Sequence, residues 1–206
     1  MSRPVRNVIF DFGGVLVNWQ PEAIIAGFYA EQALRDALRT HAFQHGDWLE
    51  LDRGTLDEAT LVRRFAARMR RPDAEMAALF DHVRESLTPI EPTVELLGEL
   101  KERGFGLYGL SNMSEPIFAH LKSLHGFFAH FDGIVVSAAV KSVKPEPGIY
   151  EHLRERFALD FAESVFIDDL PRNVESARRL GLPAIRFEST AQVRRELEPL
   201  LASDLA

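Results

Sequence analysis

Residues 9–17, IFDFGGVLV, are the stretch on which the interpretation of the whole chain depends. The run 7–12 is mostly apolar and predicts a buried strand, and the Gly-Gly pair after it predicts a sharp turn. One carboxylate, Asp11, lies at the end of this strand. The residue two positions later, Gly13, has no side chain, so Asp11 has no carboxylate partner in the turn.

The composition limits the class of protein. The chain has 206 residues, 46% of them hydrophobic, which is enough for one large domain or a core with a smaller insert. Its formal net charge of −7 argues against nucleic acid or an anionic membrane as a partner. With no cysteine, the chain has neither disulfides nor thiolate metal ligands. We expect a cytoplasmic protein, and the sequence leaves its oligomeric state open.

Short apolar runs that end at glycine or polar residues predict five strands. Such runs suit strands that are buried on both faces of a sheet, and helical patterns separate them. Alternation of strands and helices predicts an α/β fold, a doubly wound parallel sheet that is covered on both faces. The predicted strands are 7–12, 105–110, 133–137, 164–167 and 184–187.

Residues 21–87 have a different pattern, with no convincing strand. Their apolar spacing predicts four helices, at about 21–30, 31–43, 57–70 and 73–86, with a break near Gly46. A helical block directly after the first strand is typical of an inserted cap domain. We therefore predict a core of residues 1–17 and 91–206 and a helical cap of residues 18–90.

Polar residues follow four of the predicted strands. The carboxyl ends of parallel strands meet at one edge of a sheet, where ligands bind. Each residue by itself has a structural explanation, as a turn former or a helix cap, but the set together predicts a site. Its members are Asp11, Ser111, Asn112, Lys144, Asp168 and Asp169.

The order Asp11-x-Gly-Gly, Ser111-Asn112, Lys144-Pro145 and Asp168-Asp169 resembles the four motifs of the haloacid dehalogenase (HAD) superfamily, and the helical block resembles that family's type 1 cap. The Asp-x-Gly form of the first motif and the segment 43–61 resemble a subgroup that includes α-glucose-1-phosphate phosphatase. The resemblance implies a Rossmann-like core that transfers phosphoryl groups through an aspartyl intermediate.

Within that resemblance, each residue has an expected role. Asp11 would be the nucleophile, and Mg²⁺ would be held by Asp11, the Gly13 carbonyl, Asp168 and Asp169. Lys144 would add positive charge, and Ser111 and Asn112 would bind phosphate with it. The cap residues expected to contact the substrate are Trp19, Trp48 and Arg53.

Most phosphatases of this family carry a second aspartate where this chain has Gly13, and that residue serves as acid and then base. Such help is typically worth ~10² to 10⁴ in rate. The absence of this second aspartate favours substrates whose leaving group departs without a strong acid, such as a sugar-1-phosphate.

Two alternatives to a phosphatase stay open. One is a 2-haloacid dehalogenase, whose Lys-Pro and later Tyr are matched by Lys144 and Tyr150. The other is a weakly catalytic module that binds a phosphorylated metabolite or a partner protein.

Overall fold

The computed structural model describes residues 4–201, in which five parallel strands form one sheet in the order β3-β2-β1-β4-β5. The predicted α/β doubly wound fold is confirmed. The outer parts of the predicted domain ranges, 1–3 and 202–206, lie outside the described residues. The strands are β1 (Asn7–Phe10), β2 (Gly106–Ser111), β3 (Gly133–Val136), β4 (Ser164–Asp168) and β5 (Ala184–Arg186).

The central strand β1 is buried on both faces because successive side chains point to opposite sides of a sheet. Val8 and Phe10 belong to the larger apolar cluster on one face, and Ile9 belongs to the cluster on the other. All three side chains are completely buried. A continuous apolar run is therefore what the position requires.

Six helices cover this sheet within the described part of the chain. They alternate with the strands as predicted, apart from a short additional helix directly after β3. They are α6 (Glu91–Glu102), α7 (Glu115–Leu124), α8 (Ser137–Val140), α9 (Pro147–Phe157), α10 (Pro171–Arg179) and α11 (Thr190–Leu201). None of the described helices is long and apolar enough to cross a membrane.

Residues 18–90, the segment predicted as the cap and called the insert below, contain five α-helices and no strand among their regular elements. They are α1 (Pro21–Phe28), α2 (Gln32–Leu38), α3 (Gly46–Arg53), α4 (Glu58–Met69) and α5 (Asp73–Ser86). The predicted helix 31–43 is helical from Gln32 to Phe43, with α-helical hydrogen bonds as far as Leu38 and a π-helical turn at Arg39–Phe43. The prediction missed α3, which starts at Gly46, a residue interpreted as a break. His45 caps α3, accepting from the Asp47 N–H at 3.1 Å.

Three strand ends that border the site differ from the prediction. β1 ends at Phe10, so Phe12 already belongs to the turn. β2 and β4 extend to Ser111 and Asp168, so these residues end their strands instead of following them. The reason is the ladder itself, since Ser111 pairs with Val136 in the neighbouring strand. Polar side chains at strand ends are therefore held by the sheet.

The turn after β1 is fixed by an aromatic cluster around Phe12. Its ring lies 5.3 Å from the ring of Phe128 and 5.6 Å from that of Phe131, both edge-on. On the other side, Gly109 of β2 leaves room for it, because a Cβ built there would lie 2.5 Å from Phe12 Cζ. Packing around a fully buried ring permits little movement.

We predict that Gly109→Ala lowers the free energy of unfolding by about 1–3 kcal/mol, because the new methyl group overpacks against a confined ring. Gly98→Ala is the matched control: Gly98 lies inside α6 with open space at its Cβ. That change should raise stability by up to about 1 kcal/mol through helix propensity. Urea denaturation measures both values, and equal effects of the two changes would contradict this packing account.

Candidate active site

A buried lysine joins three strand ends at the carboxyl edge of the sheet. Lys144 Nζ lies 2.8 Å from Asp11 Oδ1 and 2.7 Å from Asp168 Oδ2, and it donates to the Leu110 carbonyl at 2.8 Å. Its side chain is 1% exposed, so these three acceptors stand in for water. Burial alone would lower the pKa of Lys144, but the charges of Asp11 and Asp168 outweigh it and raise the pKa. The lysine therefore remains charged.

Asn112 positions this lysine through its main chain. Its Oδ1 accepts from the Lys144 N–H at 2.7 Å, and its Nδ2 donates to the Lys144 carbonyl at 2.9 Å. Both ends of the amide are engaged, and Asn112 also lines the cavity described below. Its expected contact with phosphate stays a prediction. The structure gives it a second task, which is to fix the loop that carries the lysine.

Asp168 is held by residues that follow it in the chain. Its Oδ1 accepts from the Leu170 N–H at 2.9 Å, and Asn173 Nδ2 lies 3.0 Å from each carboxylate oxygen. The sequence analysis did not select Asn173. Its position five residues after Asp168, on the first turn of α10, was the available signal, since side chains there face back toward the strand end.

Three carboxylates converge beside the lysine. One oxygen from each of Asp11, Asp168 and Asp169 lies within 4.8 Å of the others. Burial first, and then the nearby charge of Asp168, raise the pKa of Asp11 to about 8, although Lys144 opposes this. Burial and Asp168 also raise the pKa of Asp169. A buried excess of negative charge with only hard oxygen donors fits a divalent cation such as Mg²⁺.

The two glycines of the turn make room for different neighbours. A Cβ on Gly14, whose φ is +77°, would lie 2.7 Å from Asp169 Oδ2, so this glycine lets Asp169 approach the turn. A Cβ on Gly13 would lie 3.3 Å from Trp19 Cβ. Trp19 therefore covers the place where a second carboxylate of the turn would begin.

A cavity of about 420 Å³ opens from this cluster toward the helical insert. Its floor holds Asp11, Gly13, Ser111, Asn112, Lys144, Asp169 and Asn173. Its walls are mainly apolar: Trp19, Pro21, Phe43, Trp48, Leu49, Leu87, Met113, Ile117 and Leu170. Four more polar side chains line it: Gln44, His45, Asp52 and Arg172. The cavity is thus anionic and lysine-bearing at one end and largely aromatic and aliphatic beyond it.

The structure brings most of the predicted site residues into this cavity. The rings of Trp19 and Trp48 lie 5.7 Å apart in its wall, and Ser111 lies at its floor. Arg53 is placed differently, because its guanidinium donates to both carboxylate oxygens of Glu146 at 2.8 and 2.7 Å. Arg53 is not among the residues that line the cavity, and its substrate contact stays a prediction.

Comparison with known proteins supports the assignment that this geometry suggests. A model of the haloacid dehalogenase-like hydrolases matches residues 5–181. The chain is 28% identical over 201 residues to the sesquiterpene phosphatase astK of Aspergillus oryzae, covering 98% of this chain and 99% of that protein. It is 30% identical to the drimenol cyclase drtB of Aspergillus calidoustus, covering 97% of this chain but only 37% of that larger protein.

Solved structures agree with these matches. The HAD family enzyme BT-2542 of Bacteroides thetaiotaomicron superposes with a TM-score of 0.75 at 25% identity, covering 89% of this chain and 94% of that one. The same enzyme has been solved in complex with magnesium and inorganic phosphate. The chain belongs to the haloacid dehalogenase-like hydrolase family and is a hydrolase. The narrower resemblance to α-glucose-1-phosphate phosphatase stays a prediction.

The charge cluster predicts a specific dependence of stability on pH. In metal-free buffer the folded Asp11 holds its proton up to a pKa of about 8, whereas the unfolded carboxyl loses it near 4. The unfolded state therefore binds fewer protons between these values, and this group makes the folded protein less stable as pH rises. Asp11→Asn removes that loss.

We expect Asp11→Asn to raise the melting temperature in EDTA, by an amount that grows between pH 4 and pH 8 and levels off above. Thermal unfolding of both proteins at pH 5, 7 and 9 measures it. Asp160→Asn serves as a control, since Asp160 caps the turn before the amino end of β4, whereas the cluster lies at the carboxyl end of that strand. A difference that does not change with pH would contradict the charge assignment.

Proposed function

We propose that this protein is a Mg²⁺-dependent phosphatase that hydrolyses a small phosphate monoester through an aspartyl phosphate formed on Asp11. The observation that carries the proposal is the convergence of the nucleophile candidate Asp11, a charged lysine and two further carboxylates beside the floor of one cavity. Residues 18–90 would act as the cap domain that closes this cavity. The phosphatases among its relatives support the reaction class.

Neutralising the phosphate is the first requirement, because an anionic monoester repels a carboxylate. Asp11, Asp168, Asp169 and the Gly13 carbonyl would hold Mg²⁺, which supplies Lewis-acid stabilisation of phosphate oxygens when bound. Lys144 adds a fixed positive charge 2.8 Å from Asp11, and Ser111 adds a hydroxyl donor at the cavity floor. Fixed charges in a site that excludes water act more strongly than charges in solvent.

Asp11 has the contacts that a nucleophile needs. Its Oδ1 accepts from the Phe12 N–H at 2.7 Å and faces Lys144, which fixes the orientation of the carboxylate. Within residues 4–201, its Oδ2 has no hydrogen-bond partner, so this oxygen is available for attack on phosphorus. The acyl phosphate that results is then hydrolysed by water.

The cavity walls indicate the class of the organic group. Beyond the floor, most of the lining is tryptophan, phenylalanine, leucine, methionine and isoleucine, which favours an apolar group over a sugar with its many hydroxyls. The name of one relative, a sesquiterpene phosphatase, indicates that this relative acts on a substrate with an apolar group. We therefore propose an apolar monophosphate, with a sugar-1-phosphate as the second candidate because Gly13 provides no acid.

The dehalogenase alternative has less support than the phosphatase. The Tyr150 hydroxyl donates to the Asn173 carbonyl at 3.0 Å, and the residue is completely buried in the second apolar cluster. Packing in the core therefore explains the presence of Tyr150 without a role in dehalogenation. The adjacent carboxylates Asp168 and Asp169 fit a metal site, which halide displacement does not need.

We predict phosphate release from farnesyl phosphate that requires Mg²⁺ and falls at least about 10³-fold in Asp11→Asn, because an amide is a poor nucleophile. The assay measures inorganic phosphate with farnesyl phosphate, glucose-1-phosphate and acetyl phosphate, with Mg²⁺ or EDTA. Metal-independent turnover of any of these, or substantial activity of the variant, would contradict the mechanism. Chloride release from 2-chloropropionate without phosphate release would favour the dehalogenase.

The apolar mouth of the cavity gives a second prediction. Leu49 is 42% exposed at the cavity rim, so Leu49→Asn removes apolar contact with little effect on the core. We expect the KM for farnesyl phosphate to rise about 3- to 10-fold, with the KM for acetyl phosphate unchanged. Leu124→Asn is the control, since Leu124 is 62% exposed and does not line the cavity. Equal KM changes for both substrates would argue against an apolar binding wall.

A further inference from the structure

An apolar alcohol is a poor leaving group, and Gly13 cannot protonate it. We propose that Asp52, on helix α3 of the insert, is the catalytic acid that protonates the leaving oxygen and then the base that activates water. This inference rests on the proposed phosphatase function and adds to it the proton donor that the turn after β1 lacks.

The position of Asp52 in the cavity is the first argument. Asp52 lines the same cavity as Asp11, and it belongs to α3 of the insert. It lies one helical turn after Trp48, whose ring packs 5.7 Å from that of Trp19. Trp19 in turn covers Gly13. Asp52 therefore lies on the helix that supplies Trp48 to the aromatic wall, and Trp19 of that wall covers the place where an acid of the turn would begin.

The carboxyl group of Asp52 is free for this task. Among residues 4–201 it has no hydrogen-bond or ion-pair partner, although the residue is partly buried and the helix around it is well packed. Carboxylates with a purely structural task normally have such partners. The neighbouring acidic residues show the contrast: Asp47 pairs with Arg64 at 3.0 Å and Arg68 at 2.8 Å.

The main chain of Asp52 is anchored to the catalytic edge of the core. Its carbonyl accepts from the Ser137 hydroxyl, and the same hydroxyl oxygen accepts from the Met113 N–H at 2.9 Å. Met113 lies two residues after Ser111, which ends β2 at the cavity floor. One serine thus ties the helix that carries Asp52 to the strand end that carries Ser111.

The next two residues strengthen this anchor. Arg53 forms its paired contacts with Glu146, which lies two residues after Lys144. Lys141 Nζ donates to the Gly54 carbonyl at 2.6 Å. The C-terminal end of α3 is therefore held against the lysine loop, and the charged groups of Arg53 and Lys141 are turned toward acceptors other than Asp52. A fixed acid is what proton transfer at a defined atom needs.

The protonation state of Asp52 agrees with the geometry. Burial raises its pKa well above the usual range of an aspartate, which favours the protonated form that a general acid needs. Other titratable or charged groups line the same cavity, and none of them is paired with Asp52 in the described chain. They are Asp11, His45, Lys144, Asp169 and Arg172.

The proposed steps balance. As Asp11 Oδ2 forms its bond to phosphorus, the bond from phosphorus to the substrate oxygen breaks, and that oxygen takes the proton of the Asp52 carboxyl group. The alcohol leaves and Asp52 becomes a carboxylate. A water molecule then attacks phosphorus, its proton passes to Asp52, and the bond between phosphorus and Asp11 breaks. Inorganic phosphate leaves with both aspartates restored.

The test uses substrates that differ in their need for an acid. Farnesyl phosphate needs protonation of its alkoxide, whereas acetyl phosphate and 4-nitrophenyl phosphate leave without it. The variants are Asp52→Asn and the control Glu50→Gln, which removes a carboxylate of the same helix that does not line the cavity. The quantity to compare is kcat/KM, because it reports the steps through departure of the leaving group.

We expect kcat/KM of Asp52→Asn to fall about 10²-fold or more with farnesyl phosphate and less than about 3-fold with the other two substrates. The alkaline decline of farnesyl phosphate hydrolysis in the wild type should be absent in this variant. With 4-nitrophenyl phosphate, a burst followed by slow turnover should show the loss of the base. Glu50→Gln should match the wild type in each assay.

Equal losses on all three substrates would show that Asp52 acts only through structure, and unchanged kcat/KM on farnesyl phosphate would show that it has no part in proton transfer. Either result overturns this proposal while the phosphatase proposal stands, provided that acetyl phosphate hydrolysis still depends on Mg²⁺ and Asp11. Loss of that dependence in the wild type would overturn the phosphatase proposal itself.

Discussion

The contact of Lys144 with Asp11 and Asp168 is the interaction on which the rest of the site depends. An ammonium group and two carboxylates are removed from water here, and each would be costly to bury alone. Their mutual contacts at 2.7 to 2.8 Å offset that cost only if all three strand ends keep their places. Removing Lys144 from this group should cost about 3–5 kcal/mol, because the carboxyl groups of Asp11 and Asp168 would stay buried without their cation. The strand ends, the loop that carries Lys144 and the candidate active site therefore all depend on the same contacts.

A second constraint lies beside the turn after β1. Gly13 carries no carboxylate there, and an aromatic wall occupies the adjacent space. Gly13 permits Trp19 to lie against the backbone, and Trp19 joins Phe43 and Trp48 in one ring cluster. This arrangement gives the cavity apolar surface close to the reacting phosphate. It also moves any proton donor to the insert, where Asp52 faces the cavity. The proposed apolar substrate and the proposed position of the acid thus both follow from the packing of Trp19 against Gly13.

Much of this could be predicted from the sequence because its signals are local. Apolar runs that end in Asp11 or Asp168 identify strands and place their last residues at one edge. Contacts that depend on the folded chain could not be predicted. Arg53 was expected to contact substrate, but its guanidinium is held by Glu146, which lies 93 residues later. Helix α3 was missed because Gly46 suggested a break, although His45 supplies its cap. Asp52 was overlooked with that helix.

The central claim is that phosphorus becomes bonded to Asp11 during turnover. The direct measurement is acid quenching during the first turnover of 4-nitrophenyl phosphate with Mg²⁺, followed by peptide mass spectrometry. The account predicts a phosphoryl group on the peptide that contains Asp11, and none in the Asp11→Asn variant. Release of phosphate at the full rate with no phosphorylated protein, or a phosphoryl group on another residue, would contradict it.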